Sequence, residues 1–505
     1  MTYFSTQIKN FNNIPEDCEQ IIFVGELKQN LSNLPSTCIS IILINNSLSQ
    51  FKHLLKLPYN CSIVINKELF FRENLEKHSE KDIIFIINNF SHYIESLGLD
   101  NQGNTFLISI CTKYNLALSL ISNLGDKCNP QHTNNDQNTA LLVACATNMS
   151  DVATLLIKSF GIECNAQQIN IYGETSLIYA CCNKMNDVAL LLITTLGEKC
   201  NPQHVNLNYE TALTWASYNK MNDVTALLIT TFGEKCNPQQ VNKFGDTALI
   251  YACCNKMNDI ALLLITTFGE KCNPQHVNKN GYTALLWACI NSATDVALLL
   301  ITTFGEKCNP QQVDYEQETA LTWACYNKMN DVTALLINTF GEKCNPQQVN
   351  KHSDSTLIYA CSKKMNDIAL LLITTFGKKC NPQHVNFKGY TALIFACGNS
   401  MSDVATLLIT TFGDECKPQQ INYECHTALF YACKNQMNDV ATLLITTFGD
   451  RLFPPVEKDF LCKNLALEYA LTYKMTDVVE FILKCIKPND KPNDKQHVNN
   501  CCVIS

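Results

Sequence analysis

The stretch TALLVACATNMSDVATLLI, Thr139 to Ile157, returns 36 residues later as TSLIYACCNKMNDVALLLI, Thr175 to Ile193. It returns again from Thr211, Thr247, Thr283, Thr319, Ser355, Thr391 and Thr427, always on the same step. A shortened copy opens at Thr105 and a degenerate one, LALEYALTYKMTDVVEFIL, at Leu465, making eleven units over residues 105–485. A period held this strictly points to a solenoid, in which each unit buries its apolar surface only against its neighbours.

Each unit reads as two helices and a loop. The first helix opens on a hydroxyl residue (Thr139, Thr175, Ser355) that can accept a bond from a free N–H of the opening turn. The second is expected to start on Ser150, Asn186, Asn222 and their equivalents as caps, each followed by an Asp (Asp151, Asp187, Asp223) at the positive end of the helix dipole. Those aspartates read as helix chemistry and not as catalysts. Between the caps, Val188 to Ile193 is apolar all round, which suits a helix covered on several sides. A Gly at ten of the second-helix ends, Gly125 through Gly449, suits a left-handed C-cap, and the Pro of the following G-E-K-C-N-P loop stops the helix.

The pattern resembles the ankyrin repeat. The match lies in G-x-T-A-L-x-x-A-C (Gly281 to Cys289), in D-V-A-L-L-L-I (Asp295 to Ile301), and in the Gly305 and Val313 that lead to the next turn. There are departures: Leu, Ile, Thr or Phe replaces the His of the family's T-P-L-H, and Lys184, Lys220 or Ser292 replaces its inter-helix Gly. The loop is also three residues longer than a 33-residue unit allows. The resemblance implies a mainly α fold, an ankyrin-type helical solenoid of about eleven units with a small repeat-containing α/β N-terminal cap. It also implies a non-catalytic, protein-binding role carried by the turns.

Lys plus Arg number 38 and Asp plus Glu 46, so the net charge is 38 − 46 = −8. That balance argues against nucleic acid as a partner, since such binding rests on neutralising phosphates. The first residues, MTYFSTQIKN, lack a basic segment followed by an apolar one, and no uncharged apolar run approaches a membrane span. The chain therefore reads as a cytoplasmic monomer, and its 28 cysteines as reduced thiols. Cys recurs in the loops (Cys128 to Cys416) and after the first-helix Ala (Cys145 to Cys433). Equivalent positions in stacked helices lie farther apart than a disulfide spans. Loop pairs such as Cys200/His204 and Cys272/His276 have C-x₃-H spacing, but other units carry Gln240, Gln312 or Gln348 in place of His. Packing is the expected role, with no metal and no cofactor. No phosphate-cradling loop, H-E-x-x-H or G-x-S-x-G appears, so the chain reads as no enzyme.

One first-helix column is aromatic: Val143, Tyr179, Trp215, Tyr251, Trp287, Trp323, Tyr359, Phe395 and Tyr431, with all three tryptophans in it. It reads either as packing between units or as a stripe of rigid anchors along a groove. The turns vary most between units. Candidate partner-binding residues are therefore Tyr209, Phe244, Tyr282, Tyr315, His352 and Phe387 on the turns, with Trp215, Tyr251, Trp287 and Trp323 in the column.

Residues 1–104 lie outside the array. I-P-E-D-C-E-Q-I-I-F (Ile14 to Phe23), L-P-S-T-C-I-S-I-I-L (Leu34 to Leu43) and L-P-Y-N-C-S-I-V-I (Leu57 to Ile65) are three copies of a Pro turn followed by a β-like run. They resemble short leucine-rich or FNIP repeats, which would cap the first ankyrin helix. An F-box would begin similarly to Ile14-Pro15-Glu16, but the threefold copy favours the repeat. Residues 486–505 form a polar tail ending in Cys502-Val503-Ile504-Ser505, which fits a C-a-a-X box. A prenyltransferase would place a farnesyl group on Cys502. One lipid chain anchors weakly, which makes Cys501 the candidate palmitoyl site.

The expectation is a protein-protein interaction scaffold held on a cytosolic membrane face by its lipid, recruiting a protein partner through the groove. The alternative is a ubiquitin-ligase substrate adaptor whose residues 1–104 dock the ligase. The Asn-, Ile- and Lys-rich composition points to an A/T-rich genome, and an ankyrin array joined to such N-terminal repeats resembles those of large DNA viruses of protists or effectors of intracellular bacteria, which act in a host cell.

Overall fold

A computed structural model of the chain describes residues 2–5, 20–24, 40–44, 62–65, 79–91, 94, 97–453 and 459–485. Contacts divide it into two compact units, Met1–Lys243 and Phe244–Ser505, and each is a stack of repeated helix pairs. Eleven pairs are present among the described residues, from Phe106–Ile110 with Tyr114–Leu124 to Asp459–Thr472 with Thr476–Cys485. The last first helix begins six residues ahead of the copy read from Leu465.

The hydroxyl caps of the first helices are real. Thr175 Oγ1 accepts from Ile178 N at 3.2 Å, and Ser355 Oγ from Ile358 N at 3.3 Å. Loss of one such cap typically costs about 1 kcal/mol. The second helices differ from expectation. Asn186 lies inside the first turn, and the cap position belongs to Met185, which makes no side-chain cap bond. The tight turn supplies the reason: Met185 N already donates to Ala180 O and Asn186 N to Lys184 O. With those N–H groups satisfied by backbone, the cap position is free to bury an apolar side chain. Asp187 remains in the first turn, where its charge suits the dipole.

Second helices bury Val188, Ala189, Leu192 and Ile193 and leave Thr194 and Thr195 exposed. Helix Asn186–Leu196 packs on Ser176–Cys182 of its own repeat and on Ser150–Phe160 and Asn222–Phe232 on either side. This explains why an all-apolar sequence is tolerated there.

The glycines at second-helix ends are not in the left-handed helical region. Gly197 has φ 53° and ψ −131°, a conformation essentially reserved for glycine. A Cβ placed there would meet nothing within 4 Å, so backbone freedom and not space requires Gly. The lengthened loop opens with a four-residue 3₁₀ turn, Gly197–Cys200, and the left-handed residue is the Asn201 that closes it.

In the N-terminal segment, β1 (Thr2–Ser5), β2 (Gln20–Val24), β3 (Ser40–Ile44) and β4 (Ser62–Ile65) form one parallel sheet in chain order. The register aligns Phe23 with Leu43 and Leu43 with Ile65, matching the ends of the three sequence copies. β1 is a further strand ahead of them. Helix Glu80–Asn89 packs against Tyr114–Leu124 of the first repeat, where Asn88 Oδ1 accepts from Ser119 Oγ and Asn123 Nδ2. The Ile14-Pro15-Glu16 turn, Cys501 and Cys502 lie outside the described residues.

Candidate partner-binding face

Most repeats are entered through a tight turn organised by one Asn, and Asp314 takes its place in one of them. Asn170 Oδ1 accepts from Tyr172 N and Glu174 N at 3.0 and 2.9 Å, and Gly173 N closes the turn on Asn170 O. Its equivalents also reach back to the residue that ends the previous turn. In the first unit, Asn206 Nδ2 donates to Glu174 Oε1 at 2.9 Å and Asn242 Nδ2 to Glu210 Oε1 at 3.1 Å. In the second, Asn278 pairs with Asp246, Asn350 with Glu318 and Asn386 with Asp354. Burial raises the carboxyl pKa of Glu174 and of Glu318 above the ordinary range. This amide–carboxyl ladder escaped the sequence reading, although V-N and the acidic turn ends recur visibly at the repeat period.

With the base of each turn fixed, its tip projects. Tyr209 in the first unit is 61% exposed; in the second, Phe244, Tyr315 and Phe387 are 53%, 69% and 75% exposed, and His352 is also exposed. Tyr315 carries Lys351 Nζ at 3.2 Å from its ring centroid. Tyr172, Leu207 and Tyr423 are equally prominent tips. They stand in the same turn positions, which was the available signal for them. Tyr282 folds inward and stacks on Trp287 with centroids 4.6 Å apart.

The aromatic column is neither core nor free surface. Trp215, Tyr251, Trp287 and Trp323 are half-buried, and Tyr359 is the one buried ring. Their polar ends face the turn ladder. Trp323 Nε1 donates to Asp314 Oδ2 at 2.8 Å, and Tyr359 Oη donates to Glu318 Oε1 at 2.9 Å while accepting from Asn350 Nδ2. Trp215 Nε1 is buried without a partner.

The C-x₃-H pairs do not converge. Cys200 Sγ donates to Gly197 O, whereas His204 Nε2 lies 2.9 Å from Gly173 O in the preceding turn. Gln348 Nε2 makes the same reach, to Gln317 O, whereas Gln240 and Gln312 donate to the carbonyl of the next residue. Burial pushes the Cys200 thiol up to about 12 and raises that of Cys181 further, leaving both protonated and inert. Among the described residues no group of His, Cys, Asp and Glu is placed to hold a metal ion, and no helix is long and apolar enough to cross a membrane.

No curated protein sequence matches the chain. Among solved structures it is similar to the ankyrin repeat domain of Bcl-3, a unique member of the IkappaB protein family, with 21% identity and a TM-score of 0.34. That match covers 47% of this chain and 99% of the other. The family model for ankyrin repeats (three copies) matches residues 107–204, 177–275, 264–348 and 357–451, well over half of the sequence. With eleven helix pairs among the described residues and this match over more than half of its length, the chain belongs to the ankyrin-repeat family.

Proposed function

We propose that the chain is a non-catalytic scaffold that recruits a protein partner through its turn tips and the aromatic column beneath them. The observation that carries this is the set of exposed large rings, Tyr209, Phe244, Tyr315 and Phe387, on turns whose bases are fixed by the hydrogen bonds of an Asn or Asp side chain. Rigid aromatic groups held out from a constant framework lose little entropy on contact, and such residues dominate binding energy at interfaces. Trp215, Tyr251, Trp287, Trp323, Tyr282 and His352 complete the proposed face. Photo-crosslinkers at Tyr209 and Phe387 are expected to capture one protein reproducibly from cells of the source. Capture unchanged by Tyr315→Ser and Phe244→Ser would count against the reading.

The finer part of the proposal is a cytosolic scaffold tethered by farnesyl on Cys502 and palmitoyl on Cys501. It rests on the motif alone, and an intact mass lacking the farnesyl increment would remove it. The N-terminal segment is proposed as a leucine-rich-like cap. A parallel sheet in chain order, built from segments repeating about every 20 residues, supports that reading over an F-box-like helix pair.

A further inference from the structure

In the unit Phe244–Ser505, the Asn that ends a first helix ties that helix to the one before. Asn291 Nδ2 donates to Cys253 O and Cys254 O, Asn327 to Cys289 O and Ile290 O, Asn399 to Cys361 O and Ser362 O, and Asn435 to Cys397 O and Gly398 O. The shorter bond of each pair is 2.8 or 2.9 Å. These bonds satisfy carbonyls that a helix C-terminus otherwise leaves to water. Before the last repeat, which carries Tyr473 at this position, one repeat breaks the rule. Lys363 stands where the Asn belongs, and its ammonium lies over the Tyr326 ring, 4.1 Å from the centroid.

The exception sits in an open groove of about 670 Å³, within the range that ligands fill. Tyr326, Tyr359, Phe387 and Tyr423 form much of its wall, and Lys363 and Lys388 are its cations. Phe387 and Tyr423 are 75% and 64% exposed, so apolar surface is available there. Among the described residues neither Lys363 nor Lys388 is in an ion pair. The carboxylate in the lining, Asp354, already accepts from Asn386 Nδ2 at 2.8 Å. On a chain with net charge −8, this groove is a locally positive, ring-walled site.

We propose that the groove takes an extended acidic peptide segment of a partner protein. An aspartate or glutamate of that segment pairs with Lys363 and Lys388, and a neighbouring apolar residue packs on Phe387 and Tyr423. The inference rests on the scaffold reading and adds the chemistry of the ligand and its place in the array. A position that gives up stabilising bonds for an unpaired cation beside exposed rings is where local rules yield to binding.

The test is display of random 12-residue peptides against the full chain, followed by affinities of the selected peptides as synthetic probes. Selected sequences are expected to be enriched in Asp or Glu next to an aromatic or aliphatic residue. The double variant Lys363→Asn/Lys388→Ala should weaken their binding about tenfold or more, and added salt should act in the same direction. Folding does not confound the result, because Lys363→Asn restores the amide found at Asn291, Asn327, Asn399 and Asn435 and is expected to hold or raise Tm. Phe387→Ala alters an exposed side chain and should also weaken binding. Peptides that bind the double variant as well as the original protein would overturn the inference and leave the scaffold reading standing. Retention of no peptide would count against both.

Discussion

Trp215 and Trp323 fill the same place in two copies of one repeat, yet only one indole finds a partner. Trp323 donates to Asp314, whereas the matching turn residue for Trp215 is Asn206, and the Trp215 N–H is buried without an acceptor. The difference is set one repeat earlier. Glu174 ends the turn ahead of Asn206 and takes its amide N–H. Tyr282 ends the turn ahead of Asp314, is occupied in stacking on Trp287, and presents no carboxylate. Asp is therefore tolerated at 314, where its second oxygen receives the indole. Turn residue, column residue and the end of the previous turn act as one unit, and the repeats choose between two consistent sets.

Exchanging the sets should produce the largest effects. Asp314→Asn turns the acceptor facing Trp323 into a donor and leaves a buried N–H unmet, at a cost of about 1–3 kcal/mol in urea unfolding. Asn206→Asp supplies Trp215 with an acceptor, but it removes the donor to Glu174 and sets two carboxylates together. A loss of similar size is expected. Combining it with Glu174→Tyr reproduces the Tyr282/Asp314/Trp323 set and should recover stability, with a coupling of about 0.5–3 kcal/mol. Additive single effects would show that the three positions are independent.

The same ladder gives a pH signature. Glu318 is buried, with Asn350 and Tyr359 donating to one oxygen and no partner at the other, and its pKa is raised chiefly by desolvation. A carboxyl raised in the folded state stabilises the fold fully below its unfolded pKa of about 4.3, and that contribution is lost as pH rises through the folded value. Stability of Glu318→Gln relative to the original protein should therefore improve steadily as pH climbs through that window. Urea midpoints measured from pH 4 upward check it, and parallel midpoint curves would refute it.

How much of this could be read beforehand follows from which interactions are local. The first-helix cap is visible in TALLVACATNMSDVATLLI, the loop Pro in loops such as the G-E-K-C-N-P that follows Leu196, and the 36-residue step in the recurrence of both. The second-helix cap was misassigned because Asn186-Asp187 has cap composition, whereas the backbone of Lys184 and Met185 had already satisfied the turn. The Asn219, Asn242 and Asn350 bonds join residues 32 to 38 apart, so composition along the chain gives no sign of their partners. Repetition made those positions recognisable as important and left their chemistry hidden. The aromatic column stayed ambiguous for the same reason. Most of its rings are half-buried, and the polar ends of Trp323 and Tyr359 are bonded to turn carboxylates.

The smallest predicted effects separate tip from column. Phe387 is 75% exposed, and its repeat-to-repeat bond is made by its backbone N to His352 O, which any side chain leaves intact. Phe387→Ser and Tyr209→Ser should change unfolding free energy by no more than about 0.5 kcal/mol. Tyr359→Phe removes a hydroxyl held by Glu318 and Asn350 at a buried site and should cost about 1–3 kcal/mol. Ring area matters less in this contrast than where the polar end of the ring is spent. The Tyr359 hydroxyl is tied into the fold, whereas the Phe387 and Tyr209 rings stand in solvent. If the tip substitutions destabilise as much as Tyr359→Phe, the exposed rings belong to the fold and the binding face must be sought elsewhere. If they leave stability untouched and abolish partner capture, the tips serve recognition and the column holds them in place.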